Sequence, residues 1–382
     1  MDRSERLTPF IVMEILERAK ELERKGRDIV HMEIGEPDLP PSPKVLEEIE
    51  RVKDKAYGYT HSLGIWELRE AVARYYWRRY KVYVNPERVI ITTGTSGAFS
   101  LIFSALFEPG EGVAFTDPGY PCYKNFATVY CLEHFSIPID SSTNYELTAQ
   151  HLEEYGGYLK RLKGFLVTSP SNPVGNIYRR ETLKGLVEYA EREGLIFISD
   201  EIYHGLNYGK PVHTALEFSD NVVVVSGFSK FFCMPGFRLG WVIVPKRWVR
   251  KLQIVAQNLF ISPPTLSQYA GLKALEDESY LRQVKETFKK RRDYLYGELK
   301  KLFKIEVPPE GAFYIWANIE DYSTDSYSFA RELLEKAGVA VTPGVDFGKN
   351  NTERYIRFSY TASLERLKEG VNRLREFLKS SL

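Results

Sequence analysis

Apolar positions recur at helical spacing near the start of the chain and in strand-like runs through its middle. Residues 11–25 and 65–80 carry apolar side chains at helical spacing, which predicts amphipathic helices. Short runs rich in β-branched and apolar residues follow at 89–94, 112–117, 164–169, 195–200, 222–226 and 239–244. Helical patterns, such as residues 96–107 and 180–194, separate several of these runs. The alternation predicts a mostly parallel sheet that lies between helices.

The pattern changes at two places along the chain. The link across residues 226–239 is short and irregular, so the strand after it is expected to run antiparallel to its neighbour. After about residue 275, a long charged helical pattern leads into further strand-like runs and a closing helix. We therefore predict an α/β chain with a large domain over 45–275 and a smaller α+β domain formed by 1–44 and 276–382.

Composition argues against several classes of function. The chain has 382 residues, of which 52 are basic and 51 acidic, so its net charge of +1 gives no electrostatic reason to bind nucleic acid or an anionic membrane. No apolar run approaches the roughly 20 residues of a membrane helix. The six histidines lack metal-ligand spacing, and we predict no metal site. Three cysteines without a CxxC pair and an N-terminus without an apolar leader indicate a cytoplasmic protein.

Polar residues follow the first predicted strands, at the edge where open α/β sheets bind ligands. Thr95 and Ser96 stand between a strand and a helix, where they could cradle a phosphate or form an ordinary capped turn. Tyr120 lies in a proline-flanked turn, either to stack on a flat ligand or to pack on the surface. Asn172 precedes Pro173 in a common turn element, which by itself is weak evidence for a site.

Charged residues follow the later strands. Asp200 ends an apolar strand, with Tyr203 three residues on, and the carboxylate is either a partner for a cation or a helix N-cap. Lys230 and Arg238 stand among aromatic residues, where a lysine that reaches solvent is the simpler alternative. Arg357 lies on a β-rich segment, where it could also cover apolar surface. Together these groups suit a flat, phosphorylated, aldehyde-bearing cofactor and a carboxylate substrate.

The order of these motifs is similar to that of the class I/II aminotransferases, fold-type I enzymes that use pyridoxal 5'-phosphate (PLP) and include aspartate-aminotransferase-like proteins. The matching segments begin at residues 35, 57, 92, 117, 169, 200, 229 and 357 and read GEPD, YGYTHSLGIWELREA, TTGTSGA, DPGYPCY, SPSNPVG, DEIY, SKFFCMPGFRLGW and RFSY. The resemblance covers almost the whole chain. It implies a large domain with a mostly parallel seven-stranded sheet between helices, and a smaller α+β domain.

The resemblance also assigns roles around the cofactor ring. Lys230 would form the Schiff base with PLP and carry the proton between the substrate and the cofactor. Asp200 would pair with the pyridine nitrogen and keep it protonated. Tyr203 and Asn172 would bond the phenolic oxygen of the ring, and Tyr120 would stack on its face.

Other residues are implied to bind the phosphate and the substrate. The implied phosphate ligands are Thr95, Ser96, Ser229 and Arg238, with Tyr59 reaching the phosphate of the other subunit in a homodimer. Arg357 would bind the α-carboxylate of the substrate as a fork, Asn172 would also contact the substrate, and the backbone of Gly35 would close over it. The side-chain pocket would draw on the helix at 11–20 and the loop at 258–266.

Two positions depart from patterns found in relatives. Some aspartate-specific relatives carry a lysine for the distal carboxylate where this chain has Ser96, which argues against aspartate specificity by that route. Gly227 replaces a serine that some relatives use for phosphate, which would leave more of the phosphate binding to Ser229 and Thr95. The aromatic residues near the site, Tyr120, Tyr123, Phe231 and Phe232, either suit an apolar or aromatic substrate or pack in the core. The resemblance further implies cis peptide bonds at Asp117–Pro118 and Asn172–Pro173.

These observations favour an amino acid aminotransferase that passes an amino group from an L-amino acid to a 2-oxo acid, such as 2-oxoglutarate, in a ping-pong cycle. A PLP-dependent β-lyase on the same fold shares the first steps and stays open. A third hypothesis is a non-catalytic PLP-binding regulator, which is opposed by the lack of room for a DNA-binding module before the family pattern. The fourth is an α/β protein whose motifs match by chance, which the ordered set opposes.

Overall fold

The structure is a computed structural model that describes residues 4–155 and 161–381. Its strands are β1 (Val30–His31), β2 (Val89–Thr92), β3 (Gly112–Asp117), β4 (Glu133–Pro138), β5 (Leu162–Thr168), β6 (Ile196–Asp200), β7 (Val223–Gly227), β8 (Gly240–Ile243), β9 (Tyr314–Asn318), β10 (Val339–Ala340), β11 (Thr342–Pro343) and β12 (Tyr355–Ser359). Its α-helices are α1 (Ile11–Arg24), α2 (Pro43–Val52), α3 (Trp66–Tyr80), α4 (Gly94–Leu106), α5 (Cys122–Val129), α6 (Ala149–Tyr155), α7 (Arg180–Glu193), α8 (Lys246–Leu259), α9 (Thr265–Glu276), α10 (Glu278–Leu299), α11 (Ser326–Glu332) and α12 (Leu364–Ser381).

Seven strands form the central sheet in the order β2-β8-β7-β6-β5-β3-β4. Neighbouring strands run parallel except at β8, which is antiparallel to both β2 and β7. The predicted mostly parallel sheet and the predicted antiparallel strand are therefore confirmed. Successive valines of β7 enter different cores, since Val224 packs into one hydrophobic cluster and Val223 and Val225 pack into the other. Such a strand is covered on both faces, which explains its continuous apolar sequence.

The apolar pattern did not predict β4, although the family resemblance implied a seventh strand. β4 lies at the edge of the sheet and pairs only with β3. Its sequence EHFSIP leaves Glu133, His134 and Ser136 exposed and buries Ile137. An edge strand needs few buried side chains, and the polar residues that protect an edge also weaken its sequence signal.

A smaller sheet and a short strand pair connect the two ends of the chain. β11, β12 and β9 pair antiparallel, with Thr342 opposite Arg357 and Arg357 opposite Trp316. β1 pairs parallel with β10, so the N-terminal part of the chain packs against its C-terminal part. The pairing places Arg357 in the middle strand of the small sheet.

The structure also tests the predicted helices and the cis peptide bonds that the resemblance implied. α1, α3, α4 and α7 lie where the apolar spacing predicted them, with ends shifted by one or two residues. The peptide bonds 117–118 and 172–173 are cis, as the resemblance implied, and the bond 169–170 is cis as well.

Two expectations concern the chain as a whole. Among the described helices, none combines the length and the apolar character required to cross a bilayer. The domain division at 44/45 and 275/276 stays a prediction, and residues 1–3, 156–160 and 382 of those domains lie outside the described residues.

Candidate active site

A cavity of about 470 Å³ opens at the carboxyl ends of the parallel strands. Its wall contains every predicted site residue except Tyr59, namely Gly35, Thr95, Ser96, Tyr120, Asn172, Asp200, Tyr203, Ser229, Lys230, Arg238 and Arg357. These residues come from segments that are far apart in sequence. They meet because parallel strands present their carboxyl ends at one edge of the sheet.

Lys230 stands in the irregular segment after β7 and points into the cavity. Its Nζ donates a hydrogen bond to the backbone oxygen of Gly35 at 2.6 Å. The pKa of Lys230 is lowered to about 8, mainly by burial and also by the positive charge of Arg357 and Arg238, against the opposing effect of Glu36 and Asp200. A larger share of the amine is therefore neutral near pH 7 than in an ordinary lysine, as a nucleophile or base requires.

Asp200 ends β6 and is 3% exposed. Its carboxylate accepts hydrogen bonds from the backbone N–H of Ile202 at 3.1 Å and from the hydroxyl of Tyr123. Burial raises the pKa of Asp200 to about 6, and these two hydrogen bonds counteract part of that rise. Both donors are neutral, so the ionised carboxylate can still stabilise a cation in the cavity.

An anion site lies at the start of α4. Helix α4 begins at Gly94, whose φ is +70°, and Thr93 before it supplies no side-chain cap. The guanidinium of Arg238 packs on this turn, because a Cβ at Gly94 would lie 2.5 Å from its Nη2 atom. Thr95 and Ser96 stand in the first turn and line the cavity. A helix N-terminus, an arginine and hydroxyl groups together suit a phosphate.

Arg357 lies on β12 and is 4% exposed. Its Nη1 donates to Asn172 Oδ1 at 2.8 Å, and its Nη2 donates to the backbone oxygen of Glu33 at 2.6 Å and to Thr342 Oγ1 at 3.2 Å. The guanidinium also stacks on the ring of Tyr314, 4.2 Å from its centroid. The buried Nε has no hydrogen-bond partner within the described chain. A buried arginine with a donor to spare suits a planar carboxylate ligand.

Residue 35 has no room for a side chain larger than the hydrogen of glycine, because Tyr314 lies against it. A Cβ at residue 35 would overlap the hydroxyl of Tyr314. The same hydroxyl shares a hydrogen bond of 2.8 Å with the hydroxyl of Tyr203. Tyr314 therefore links the Gly35 turn, Tyr203 and Arg357 into one packed group.

Sequence reasoning gave Tyr314 no role and gave Tyr123 no role beyond that of an aromatic residue near the site, although both line the cavity. Tyr123 bonds Asp200 and shares a hydrogen bond of 2.7 Å with Thr168 Oγ1. Its ring packs edge-on against Tyr120, with centroids 5.2 Å apart. Both tyrosines stand in segments that the resemblance or the strand pattern had marked, DPGYPCY and GAFYIWANI, but nothing in either segment singles out the tyrosine itself.

Tyr59 is the predicted site residue that the structure leaves outside the cavity. Its side chain is 83% exposed, and that of the nearby Tyr57 is 85% exposed. Their segment is joined to the start of α9, since Thr265 Oγ1 donates to the backbone oxygen of Gly58 at 2.6 Å. Gly227, the second departure, lies on β7 opposite Gly240 and is absent from the cavity wall.

Among the described residues, no cluster of histidine, cysteine, aspartate and glutamate side chains could hold a metal ion. The polar groups of the cavity are instead a lysine, two arginines, hydroxyls and buried acids. They can bind two anions, one at α4 and one at Arg357, with the amine of Lys230 in the same cavity.

The sequence matches the family described as "Aminotransferase class I and II" over residues 27–374. It is 39% identical over 382 residues to the (5-formylfuran-3-yl)methyl phosphate transaminase of Methanocaldococcus jannaschii, covering 97% of this chain and 96% of that one. It is 36% identical over 378 residues to the valine–pyruvate aminotransferase of Mycobacterium tuberculosis, covering 97% of each chain. The fold matches the crystal structure of aspartate aminotransferase from Thermotoga maritima with a TM-score of 0.92 at 35% identity, covering 99% of this chain and 100% of that one.

Proposed function

Since the chain belongs to the class I and II aminotransferases, a PLP-dependent family, and is an amino acid aminotransferase, we propose that Lys230 is its catalytic amine and that the cavity holds PLP. One observation carries this assignment: the cavity combines a lysine of lowered pKa with a buried acid and separate binding sites for two anions. Perturbed ionisable groups that converge in one cleft are typical of catalytic sites.

The residues present fit PLP. The N-terminal turn of α4 without a side-chain cap, together with Arg238, Ser229, Thr95 and Ser96, would hold the phosphate. When bound, PLP supplies a reactive aldehyde carbon and a ring that withdraws electrons from the substrate Cα. Asp200 would favour a positive charge on the ring nitrogen, because its carboxylate is buried and bonded only to neutral donors.

Three further residues would contact the ring. The hydroxyl of Tyr203 and the amide of Asn172 are polar groups of the cavity wall that can bond the ring oxygen. The ring of Tyr120 offers a flat face in the same wall. Asn172 also holds Arg357 at 2.8 Å, so it would connect the cofactor to the substrate-binding group.

Lys230 and Arg357 would act on the substrate. Arg357 orients the amino acid by its α-carboxylate, since a guanidinium binds a carboxylate with two parallel hydrogen bonds. The neutral amine of Lys230 would then take the proton from the substrate Cα and pass it to the aldehyde carbon of the cofactor, and in the second half of the cycle it would carry a proton in the opposite direction. The backbone oxygen of Gly35 is the acceptor that holds Nζ in place between these transfers.

We propose that the protein acts as a homodimer in which Tyr59 reaches the partner's phosphate site. The exposed face around Tyr59 supports this, because Tyr57, Trp66, Leu259 and Ile261 are also large apolar side chains with exposures between 46% and 85%. Large apolar side chains left exposed to water are typical of an interface between subunits. A monomer at micromolar concentration by light scattering would contradict this proposal.

We also propose a cytoplasmic location. Cys122, Cys131 and Cys233 are all free thiols, which supports a reducing compartment. Cell fractionation that recovers the protein with secreted marker proteins would contradict this assignment.

The experiment that tests the activity is an absorbance titration of the PLP-loaded protein with single L-amino acids, L-glutamate among them, in the absence of any 2-oxo acid. Transamination converts the band of the aldehyde form of the cofactor into the band of pyridoxamine phosphate. A β-lyase would instead release pyruvate and ammonia from a cysteine-type substrate and leave the aldehyde band. If no amino acid changes the spectrum, the proposed activity is wrong.

A further inference from the structure

We propose that this cavity selects substrates with apolar side chains and a single carboxylate, both as amino donors and as 2-oxo acid acceptors. The inference rests on the proposed function, since it concerns the part of the cavity that the cofactor and the α-carboxylate leave free. Three observations support the proposal. They are the apolar side chains that α1 contributes to the cavity wall, the hydrogen bonds that hold the start of α1 in place, and the charges of the residues that line the cavity.

The α1 side of the cavity is apolar. Phe10, Val12, Met13 and Leu16 line the cavity from the start of α1, and Ile34 lies beside them. Phe10 packs edge-on against Tyr120 with ring centroids 6.1 Å apart, so this wall extends to the tyrosine that faces the cofactor. An apolar wall of this kind stabilises a side chain by removing its surface from water.

The wall is fixed to the rest of the protein at the N-terminus of α1. Asp346 accepts hydrogen bonds from the backbone N–H groups of Ile11 at 2.9 Å and Val12 at 3.3 Å. Two more hydrogen bonds hold the segment just before α1. The backbone N–H of Thr8 donates to Asn125 Oδ1 at 3.0 Å, and Asn125 Nδ2 donates to the backbone oxygen of Thr8 at 3.2 Å. The apolar side chains are therefore part of a preformed pocket.

Within one subunit, the charges of the described lining residues offer no site for a second carboxylate. Among the described lining residues the cations are Lys230, Arg238 and Arg357, and the proposed function uses all three. The acids of the same lining are Glu33, Glu36 and Asp200. The distal carboxylate of a dicarboxylic acid would lose its hydration against α1 without gaining an ion pair, which is unfavourable.

The surface next to Tyr59 has the same character. The backbone N–H of Thr60 donates to Ser262 Oγ at 3.3 Å, so the segment of Tyr59 and the loop after α8 form one surface. Leu259 at the end of α8 and Ile261 in that loop are 52% and 50% exposed. If Tyr59 reaches the partner's site, these apolar side chains accompany it there.

The test compares two non-reacting carboxylic acids on the PLP-loaded protein by titration calorimetry. We expect 3-phenylpropionate to bind at least about 10-fold more tightly than glutarate, since an apolar pocket discriminates by 10-fold or more. Spectral titration should place L-leucine or L-phenylalanine above L-aspartate and L-glutamate by about 10- to 100-fold in the rate of conversion per unit concentration. Glutarate binding as tightly as 3-phenylpropionate would overturn the proposal.

A variant at Met13 sharpens the test, because its side chain is 46% exposed and tolerates a change without loss of the fold. Met13→Lys places a cation in the apolar wall and should shift the ratio of the two affinities toward glutarate by at least about 5-fold. Glu17→Gln adds the same unit of charge on the exposed face of α1, outside the cavity wall, and should leave the ratio unchanged. If the affinity ratio shifts equally in both variants, the cause is the added charge of the protein as a whole. The assignment of α1 to the substrate pocket would then be wrong.

The two proposals fail in different ways. If every amino acid leaves the spectrum unchanged, the proposed activity is wrong, while the calorimetric ratio still decides the character of the pocket. If L-aspartate and L-glutamate convert the cofactor faster than L-leucine and L-phenylalanine, the activity stands and the apolar preference is wrong.

Discussion

The two walls of the cavity are built from different kinds of residue. The wall at the sheet carries Asp200, Lys230 and Arg238 near strand ends, and each of these side chains is held by a hydrogen bond to the backbone. The wall at α1 carries apolar side chains such as Met13 and Leu16, which remain partly exposed. The difference suggests two tasks under the two proposals: the charged wall would determine the reaction, and the apolar wall would determine which side chain is accepted. A change in one wall should leave the task of the other intact.

The largest effect is expected at Lys230. Lys230→Ala should lower the rate of amino transfer by about 10⁴-fold or more, because the reaction loses its proton carrier. Single-turnover conversion of the cofactor band measures this rate. Lys124→Ala is the matched control, since burial also lowers the pKa of Lys124 but its side chain lies outside the cavity wall. Normal turnover by Lys230→Ala would refute the role of this wall in the reaction.

Arg357→Lys should have the next largest effect. Lysine keeps the charge but loses the planar fork, so kcat/KM for amino acids should fall by about 100-fold. The affinity for PLP should change little, because the phosphate cradle lies at α4 and Arg238. A loss of PLP affinity as large as the loss of kcat/KM would contradict the separation of the two anion sites. Dissociation constants for PLP and initial rates supply the two numbers.

A smaller effect is expected at Tyr123. Burial raises the pKa of Asp200 to about 6 and the hydroxyl of Tyr123 counteracts that rise. Protonation below that pH removes the negative charge that holds a cationic ring, so PLP affinity should fall as the pH drops through about 6. Tyr123→Phe should move this midpoint upward by about half a unit to one unit.

The pH dependence of PLP binding to the apoprotein, followed by fluorescence, measures that midpoint. Tyr178→Phe removes another buried tyrosine hydroxyl, one that bonds the backbone N–H of Leu147, and should leave the midpoint in place. An unchanged midpoint in Tyr123→Phe would show that the hydroxyl does not position Asp200.

The smallest effect is expected at Asp346, whose carboxylate holds the start of α1. Asp346→Ala removes the acceptor for the first N–H groups of α1 and should lower the free energy of unfolding by about 1 kcal/mol. It should also weaken the preference for 3-phenylpropionate over glutarate. Asp325→Ala removes the comparable cap of α11 and should lower stability without changing the preference. Urea unfolding and calorimetry would distinguish the two variants.

The strand-end residues could be predicted because topology alone brings them together. Asp200 and Lys230 follow consecutive parallel strands, so their meeting requires no knowledge of packing. The ordered motifs then identified the family, and with it the sheet, the cis bonds at 117–118 and 172–173 and the cavity wall. The apolar pattern did not predict edge strand β4, because a half-exposed strand has few buried apolar residues.

The remaining features depend on contacts between distant segments. Tyr123 reaches Asp200 and Tyr203 reaches Tyr314 across separations of 77 and 111 residues, and neither pairing has a local sequence signal. The character of the α1 wall likewise required the structure, because an amphipathic helix does not reveal which side chains line a cavity. Tyr59 was predicted from the resemblance alone, and its proposed role concerns a partner subunit.

The short stretch from Thr342 to Asp346 has a consequence for the handedness of the substrate. Thr342 bonds Arg357, and Asp346 holds α1, so the carboxylate site and the apolar wall are joined through a few residues of backbone. Under the two proposals, an amino acid would be fixed at its carboxylate and at its side chain while its amine faces Lys230. When three substituents of a tetrahedral carbon each have a fixed position, only one enantiomer can place all three correctly. The opposite enantiomer could place only two of them.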